Sequence, residues 1–225
     1  MAEEEKVMAE PKVFTVELTL LEEMLGTTSG NPKIQEAYVA SKILDTKNLK
    51  ALDITQEEAQ KRIDEEVQAC EDAVGEVNLT KTIFPKDENG VPFLWDYQIK
   101  GFFKDACQMI KKIPGSKSYE MKAYKKEIDG LIFVEPRRIP IIIPEGGAIG
   151  DCQRPLRAST PMGERIALAN SETVPAGSKI RFKVICLVKK HQYTVLEWLN
   201  YGKLRGLGQW RNSGAGRFEY DIIDG

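Results

Sequence analysis

Histidine is nearly missing from these 225 residues: His191 is the only one. That shortage excludes histidine-built metal centres and leaves one side chain whose ordinary pKa suits proton transfer near neutrality. Cysteine is sparse as well. Cys70, Cys107, Cys152 and Cys186 stand far apart with no Cys-x-x-Cys pair, so zinc spacing is absent and reduced thiols of a cytoplasmic protein are expected. No apolar run nears the roughly 20 residues that span a bilayer. Met1–Lys12 is acidic and has neither the basic nor the apolar region of a secretory signal, so no membrane partner is expected. No cluster of carboxylates marks a two-metal site, and neither metal nor cofactor is expected.

A large excess of one charge is also missing, since the formal net charge is −2. Its distribution is uneven, however. Asp53 to Asp72 carries eight acidic residues against two basic ones, whereas Gln98 to Lys126 carries eight basic against two acidic. Between Lys179 and Arg217 the basic residues face a single acid, Glu197. Such asymmetry suggests a local cationic surface on an acidic molecule; the solvated faces of ordinary helices and strands give the same pattern.

Periodicity supplies the element order. Phe14, Val16, Leu18 and Leu20 alternate with polar residues, which predicts a half-buried strand over Lys12–Leu20. Thr55-Gln56-Glu57-Glu58 is a capping box opening a helix with apolar Ala59, Ile63, Val67, Cys70 and Val74. A second helix is predicted from Tyr97 to Ile113, with Ile99, Phe102, Phe103, Ala106, Met109 and Ile110 on one face. Leu131–Val134, Ile139–Ile143 and Lys179–Val188 read as strands, Tyr193–Leu204 as a helix and Gly216–Ile222 as a last strand. Pro144 to Pro161 reads as a long irregular stretch. The chain is thus expected to be one α+β domain over 1–225, built on the ferredoxin-like (RRM-like) β-α-β-β-α-β plan. A helical insertion is expected over 33–95 and a loop insertion over 144–178.

Glycine is concentrated where it matters. Gly206-Leu207-Gly208 and Gly214-Ala215-Gly216 flank Gln209-Trp210-Arg211-Asn212-Ser213, between the last helix and the last strand. Glycines reach positive φ and admit close backbone approach, and consecutive free N–H groups can cradle an anion.

This loop resembles the C-terminal glycine-rich signature of the RAMP superfamily, the repeat-associated proteins of CRISPR systems and of related mobile elements. Gly206 to Gly216 meets that signature at each position, with Arg211 as its internal basic residue. Ile99-Lys100-Gly101-Phe102-Phe103-Lys104 is similar to the basic-Gly-x-x-basic start of a helix in the backbone subunits. Leu25-Gly26-Thr27-Thr28-Ser29-Gly30 is like their apolar-Gly-Ser-Gly loop. Trp95-Asp96-Tyr97-Gln98 departs from the Pro-Gly-Ser that often precedes the helix. The resemblance implies a RAMP fold, single-stranded RNA or DNA as ligand, head-to-tail self-association into a filament and CRISPR-type subunits as partners.

The residues expected to contact such a strand are Lys203, Arg205, Trp210, Arg211 and Arg217 around the glycine loop, and Lys100 and Lys104 on one helix face. Arg137, Arg138, Arg154 and Arg157 rank below them. Other readings stand beside this one. In the first, the glycines of Gly206, Gly208, Gly214 and Gly216 form a tight connection with solvent-facing arginines. In the second, the chain is a metal-independent endoribonuclease with His191 as the weak catalytic candidate, its pKa lowered by Lys189 and Lys190. The loop aspartates Asp45 and Asp151 carry no distinguishing mark. In the third, it is a non-catalytic inhibitor or interaction protein mimicking a CRISPR subunit.

Overall fold

The computed structural model describes residues 10–43, 55–73, 80–160 and 163–224. Strand β1 (Lys12–Leu20) is an interior strand of the main sheet. It pairs antiparallel with β11 (Phe218–Asp224) on one side and β10 (Lys179–Cys186) on the other. The far edge of β10 is shared end to end by β6 (Ile132–Glu135) and β7 (Arg138–Ile142), and β7 in turn pairs with β5 (Phe93–Trp95). Helix α3 (Asp96–Ile110) connects toward β6, and α5 (His191–Arg205) connects β10 to β11. The order β11-β1-β10-β6/β7 with two crossing helices is the ferredoxin-like plan.

Burial explains the alternation. Phe14, Val16, Leu18 and Leu20 lie under the helices with Ile180, Phe182 and Val184. Phe103 meets Trp198 at 5.4 Å between ring centroids, and Phe102 meets Phe218 at 5.5 Å. On the opposite face Glu17 accepts hydrogen bonds from Lys179 Nζ at 2.8 Å and Arg181 Nη2 at 2.6 Å. These bonds, that of Lys179 foremost, hold its carboxyl below the usual range. Cys107 and Cys186 are buried free thiols, raised by burial to about 11 and about 12.

The region 33–95 contains α1 (Pro32–Ile43) and α2 (Gln56–Ala73), which pack on each other. The capping box forms as expected: Thr55 N–H donates to Glu58 Oε2 at 2.8 Å and Glu58 N–H to Thr55 Oγ1 at 3.1 Å. Ala59 and Ile63 are buried, but so is Glu66, which the apolar stripe does not include. Strand β5, at the end of 33–95, belongs to the main sheet.

The stretch 144–178 is not the expected loop. It holds a long antiparallel hairpin, β8 (Gly150–Thr160) and β9 (Gly163–Val174), in register from Gly150↔Thr173 to Thr160↔Gly163. β9 joins a second sheet with β2 (Met24–Leu25), β3 (Thr28–Ser29) and β4 (Lys81–Ile83), running parallel to β4. β8 pairs only with β9, so Pro155 sits on an edge strand that tolerates its missing N–H. Helix ends also shift: α3 stops at Ile110 and leaves Ile113 exposed, and Leu204 on α5 is exposed. Asp45 and Asp53 lie outside the described residues.

A Cβ on Gly216 (φ +71°) would collide with the Leu207 carbonyl, whereas one on Gly101 meets nothing within 4 Å. Gly216→Ala is therefore expected to lower stability by about 3 kcal/mol or more, since strain and backbone overlap add. Gly101→Ala is expected to raise it by about 0.5–1 kcal/mol through helix propensity. Urea midpoints that move in opposite directions at constant m check both.

Candidate nucleic-acid interface

Three separate segments meet at one cleft of about 260 Å³. Gln35 and Tyr38 of α1 add to its wall; Leu25, Thr27 and Thr28 come from the segment after β1 that carries β2 and β3; Gln98, Gly101, Phe102 and Asp105 come from α3; Leu207, Gly208 and Arg211 come from the glycine loop. These are the three segments that carried the family resemblance. Gln98 is the joint between two of them: its Oε1 accepts from Trp95 N–H at 2.8 Å and its Nε2 donates to Thr27 Oγ1 at 2.5 Å.

The glycine loop is first of all a clasp. Gly206, Gly208, Gly214 and Gly216 all have positive φ. Leu207 N–H donates to Gly216 O at 2.8 Å, and Gly216 N–H to Glu23 O at 2.8 Å. Ser213 and Gly214 N–H are spent on Trp210 O and Arg211 O, both at 3.0 Å. Those four N–H groups are committed internally and cannot cradle an anion, which favours the tight-connection reading for the glycines. Gln209 Nε2 ties the loop to Gly26 O at 2.9 Å, and the ideal Cβ of Gly208 would approach Leu25 O to 2.9 Å.

Half of the ten cations expected at phosphates have carboxylate partners. Arg205 Nε and Arg211 Nη1 both reach Asp105 Oδ2, at 3.2 and 2.7 Å, and Arg205 Nη1 also donates to Asn212 Oδ1 at 2.7 Å. Arg217 pairs with Glu22 at 2.9 Å. Lys100 and Lys104 do share a helix side, but it faces α4 (Tyr124–Leu131). Lys100 Nζ donates to Asp129 O at 3.1 Å and Lys104 Nζ pairs with Asp129 Oδ1 at 2.6 Å. Burial pushes the Lys100 ammonium below the ordinary lysine range. Arg137 lies 3.3 Å from Glu66 and 4.9 Å from the Trp95 ring centroid, so it ties α2 to the main sheet. Burial raises Glu66 despite the hydrogen bond from Tyr97 O–H at 2.9 Å and the charge of Arg137.

Besides Lys100, four expected cations have no carboxylate partner among the described residues. Arg138 lies over Phe93 and Trp95, Lys203 stands 6.0 Å from the Tyr220 ring centroid, and Arg157 is exposed on the hairpin. Arg154 is 8% exposed, donates from Nη2 to Gln209 Oε1 at 2.8 Å, and lies 5.2 Å from the Trp210 ring centroid. Trp210 is 47% exposed and is the only described non-glycine residue with positive φ. Asp105 was not legible as a site residue, although it directly follows Lys104 on α3.

His191 is not a surface residue: it is 2% exposed, at the start of α5. Burial is the main cause that lowers its pKa; Lys190 adds to it, and Glu127, 3.5 Å from Nε2, opposes it. It lines a cavity of about 180 Å³ with Lys117, Glu120 and Glu127, away from the three-segment cleft. Asp151 is in β8 and pairs with Lys81. No group of His, Cys, Asp and Glu that could hold a metal occurs among the described residues, and no described helix is long and apolar enough to cross a membrane.

Because the folded His191 binds its proton less readily than the unfolded one, its contribution to stability is full above about pH 6.5 and is lost as pH falls toward the lowered value. Glu66 and Asp96, both raised, act with the opposite sign at lower pH. The stability of wild type minus that of His191→Gln is therefore expected to fall from pH 7 downward; a difference independent of pH would contradict it.

No protein-family model and no curated protein sequence matches the chain. Solved structures do. A chain in "Cryo-EM structure of the Type III-B Cmr-beta bound to cognate target RNA" superposes with a TM-score of 0.52 at 12% identity, covering 96% of this chain and 61% of its own length. This chain thus spans less than two thirds of that neighbour. A chain of "Type IV-B CRISPR Complex" gives 0.46 at 10% identity, covering 94% and 90%. The crystal structure of Cmr6 from Pyrococcus furiosus gives 0.46 at 11% identity, covering 94% and 99%. At such identities the likeness is one of fold alone, and it is the fold shared with the chain in the Cmr-beta structure.

Proposed function

We propose that this chain binds single-stranded nucleic acid, RNA in preference to DNA, along the cleft between the glycine loop, α3 and the loop after β1. It would do so as a non-catalytic subunit of a ribonucleoprotein complex. The carrying observation is the convergence of the three motif segments on that one cleft. Trp210 beside it supplies an exposed aromatic ring, and Arg138, Arg154, Arg157 and Lys203 supply cations without carboxylate partners. Backbone phosphates are met by such cations without regard to sequence, and an exposed ring accepts any base. The structural neighbour described as bound to target RNA supports the same ligand class.

The electrostatics fit a moderate, salt-sensitive affinity. Arg205 and Arg211 share one Asp105, which leaves one net positive charge at the cleft wall. Partly exposed ion pairs of this kind are worth only about 0–1 kcal/mol, so a phosphate can compete with Asp105 for either guanidinium. Head-to-tail association along the strand belongs to the same proposal, with the acidic face of α2 as the surface offered to the basic side of the next copy. The endoribonuclease reading is less well supported, because His191 is buried and remote from the cleft. The mimic reading separates from ours by binding alone.

Asp105→Asn tests the proposal. Freeing both guanidinium groups is expected to raise affinity for a labelled oligouridylate and to steepen log K against log salt by about one ion. Joint replacement of Arg205 and Arg211 by Gln is expected to weaken binding and flatten the slope. Affinities by fluorescence anisotropy that are indifferent to both changes would contradict a strand in this cleft.

A further inference from the structure

Resting on that binding reading, the geometry points to a single-nucleotide subsite at the corner between the glycine loop and the base of the β8–β9 hairpin. There the open part of the Trp210 indole takes a base by stacking, and the uncompensated Arg154 charge holds the adjoining phosphate. Two observations meet here. Trp210 stands at φ +53°, a conformation that a bulky side chain adopts only under constraint, and yet 47% of it is open to water. A ring held in that way is not there to fill the core.

The second observation is Arg154. It is more than nine-tenths buried, faces no carboxylate among the described residues, and its Nε and Nη1 find no hydrogen-bond acceptor. A buried cation without counter-charge is costly, and its cost falls when an anion is brought alongside. Its one hydrogen bond goes to Gln209, the residue before Trp210, and its guanidinium lies over the Trp210 ring. The side chains of Arg154 and Leu156 leave β8 on the same face, and Leu156 is 50% exposed, so the corner continues outward along an apolar wall. A base needs an apolar surface beside a cation, and this corner has both. By contrast, the guanidinium groups in and beside the glycine loop, on Arg205, Arg211 and Arg217, are already paired.

The protein carries its own reporter. It has three tryptophans, and Trp95 and Trp198 are 0% exposed, so quenching by acrylamide reads Trp210. Oligouridylate is expected to shield Trp210 from acrylamide, whereas an abasic phosphodiester of equal length binds without shielding it. Trp210→Asn keeps a residue that tolerates the left-handed conformation. It should lower oligouridylate affinity roughly five- to hundred-fold, toward that of the abasic strand, while leaving the abasic strand's affinity unchanged. Trp210→Phe should recover part of the loss. Arg154→Met should weaken both strands and reduce the salt slope.

Oligouridylate that binds by anisotropy but leaves Trp210 accessible, or that binds Trp210→Asn as tightly as wild type, overturns the subsite and leaves the wider reading intact. Neither strand binding overturns both.

Discussion

Two backbone segments cross inside the glycine loop at a distance that no side chain permits. A Cβ on Gly206 would meet the Ala215 carbonyl, and one on Gly216 the Leu207 carbonyl. Leu207 and Ala215, the apolar centres of the two clips, are buried as a result. This crossing turns the chain from α5 into β11 and fastens it to Glu23, Leu25 and Gly26 on the loop after β1. Gly26 continues the contact: its own Cβ would strike the Ile83 carbonyl of β4. The main sheet and the second sheet are therefore joined through glycine positions, and the cleft exists because that joint holds.

The same constraint sorts the loop's side chains. With Leu207 committed inward and the 3₁₀ turn Arg211–Ser213 closed on itself, Trp210 is left outside and Arg211 is turned to Asp105. The loop thus serves as a scaffold, and what it leaves open to solvent are side chains. Charge is distributed accordingly. Asp105, Asp129, Glu22 and Glu66 neutralise half of the ten cations that the sequence makes look available. The cleft keeps a small positive excess on a protein of net charge −2.

Legibility in the sequence followed burial. β1 and β10 alternate because one face lies under helices, and α3 shows its stripe because Ile99, Phe102, Phe103 and Ala106 enter the core. The Thr55–Glu58 box was readable because both partners are three residues apart. The β8–β9 hairpin was not, because the less exposed positions of β8, Cys152 and Arg154, alternate with exposed Asp151, Gln153 and Pro155 without forming an apolar stripe. The positions of the loop glycines were legible as well, but their partners were not. Asp105 lies 106 residues before Arg211, and no local pattern announces that pair. The burial of His191 was not legible for a similar reason, since it comes from helix α4 and the turn at Lys117–Glu120.

The central claim is that a single strand runs through the three-segment cleft and not over the other face of the main sheet, where Lys179, Arg181 and Lys183 also form a basic row. Photocrosslinking of a 4-thiouridine oligonucleotide to the wild-type chain, with the attached peptides located by mass spectrometry, tests this most directly. The account predicts crosslinks on the peptides holding Gln98 to Asp105, Arg154 to Arg157 and Gln209 to Arg211. Crosslinks confined to the β10 peptide from Lys179 to Lys183, or none at saturating strand, would contradict it.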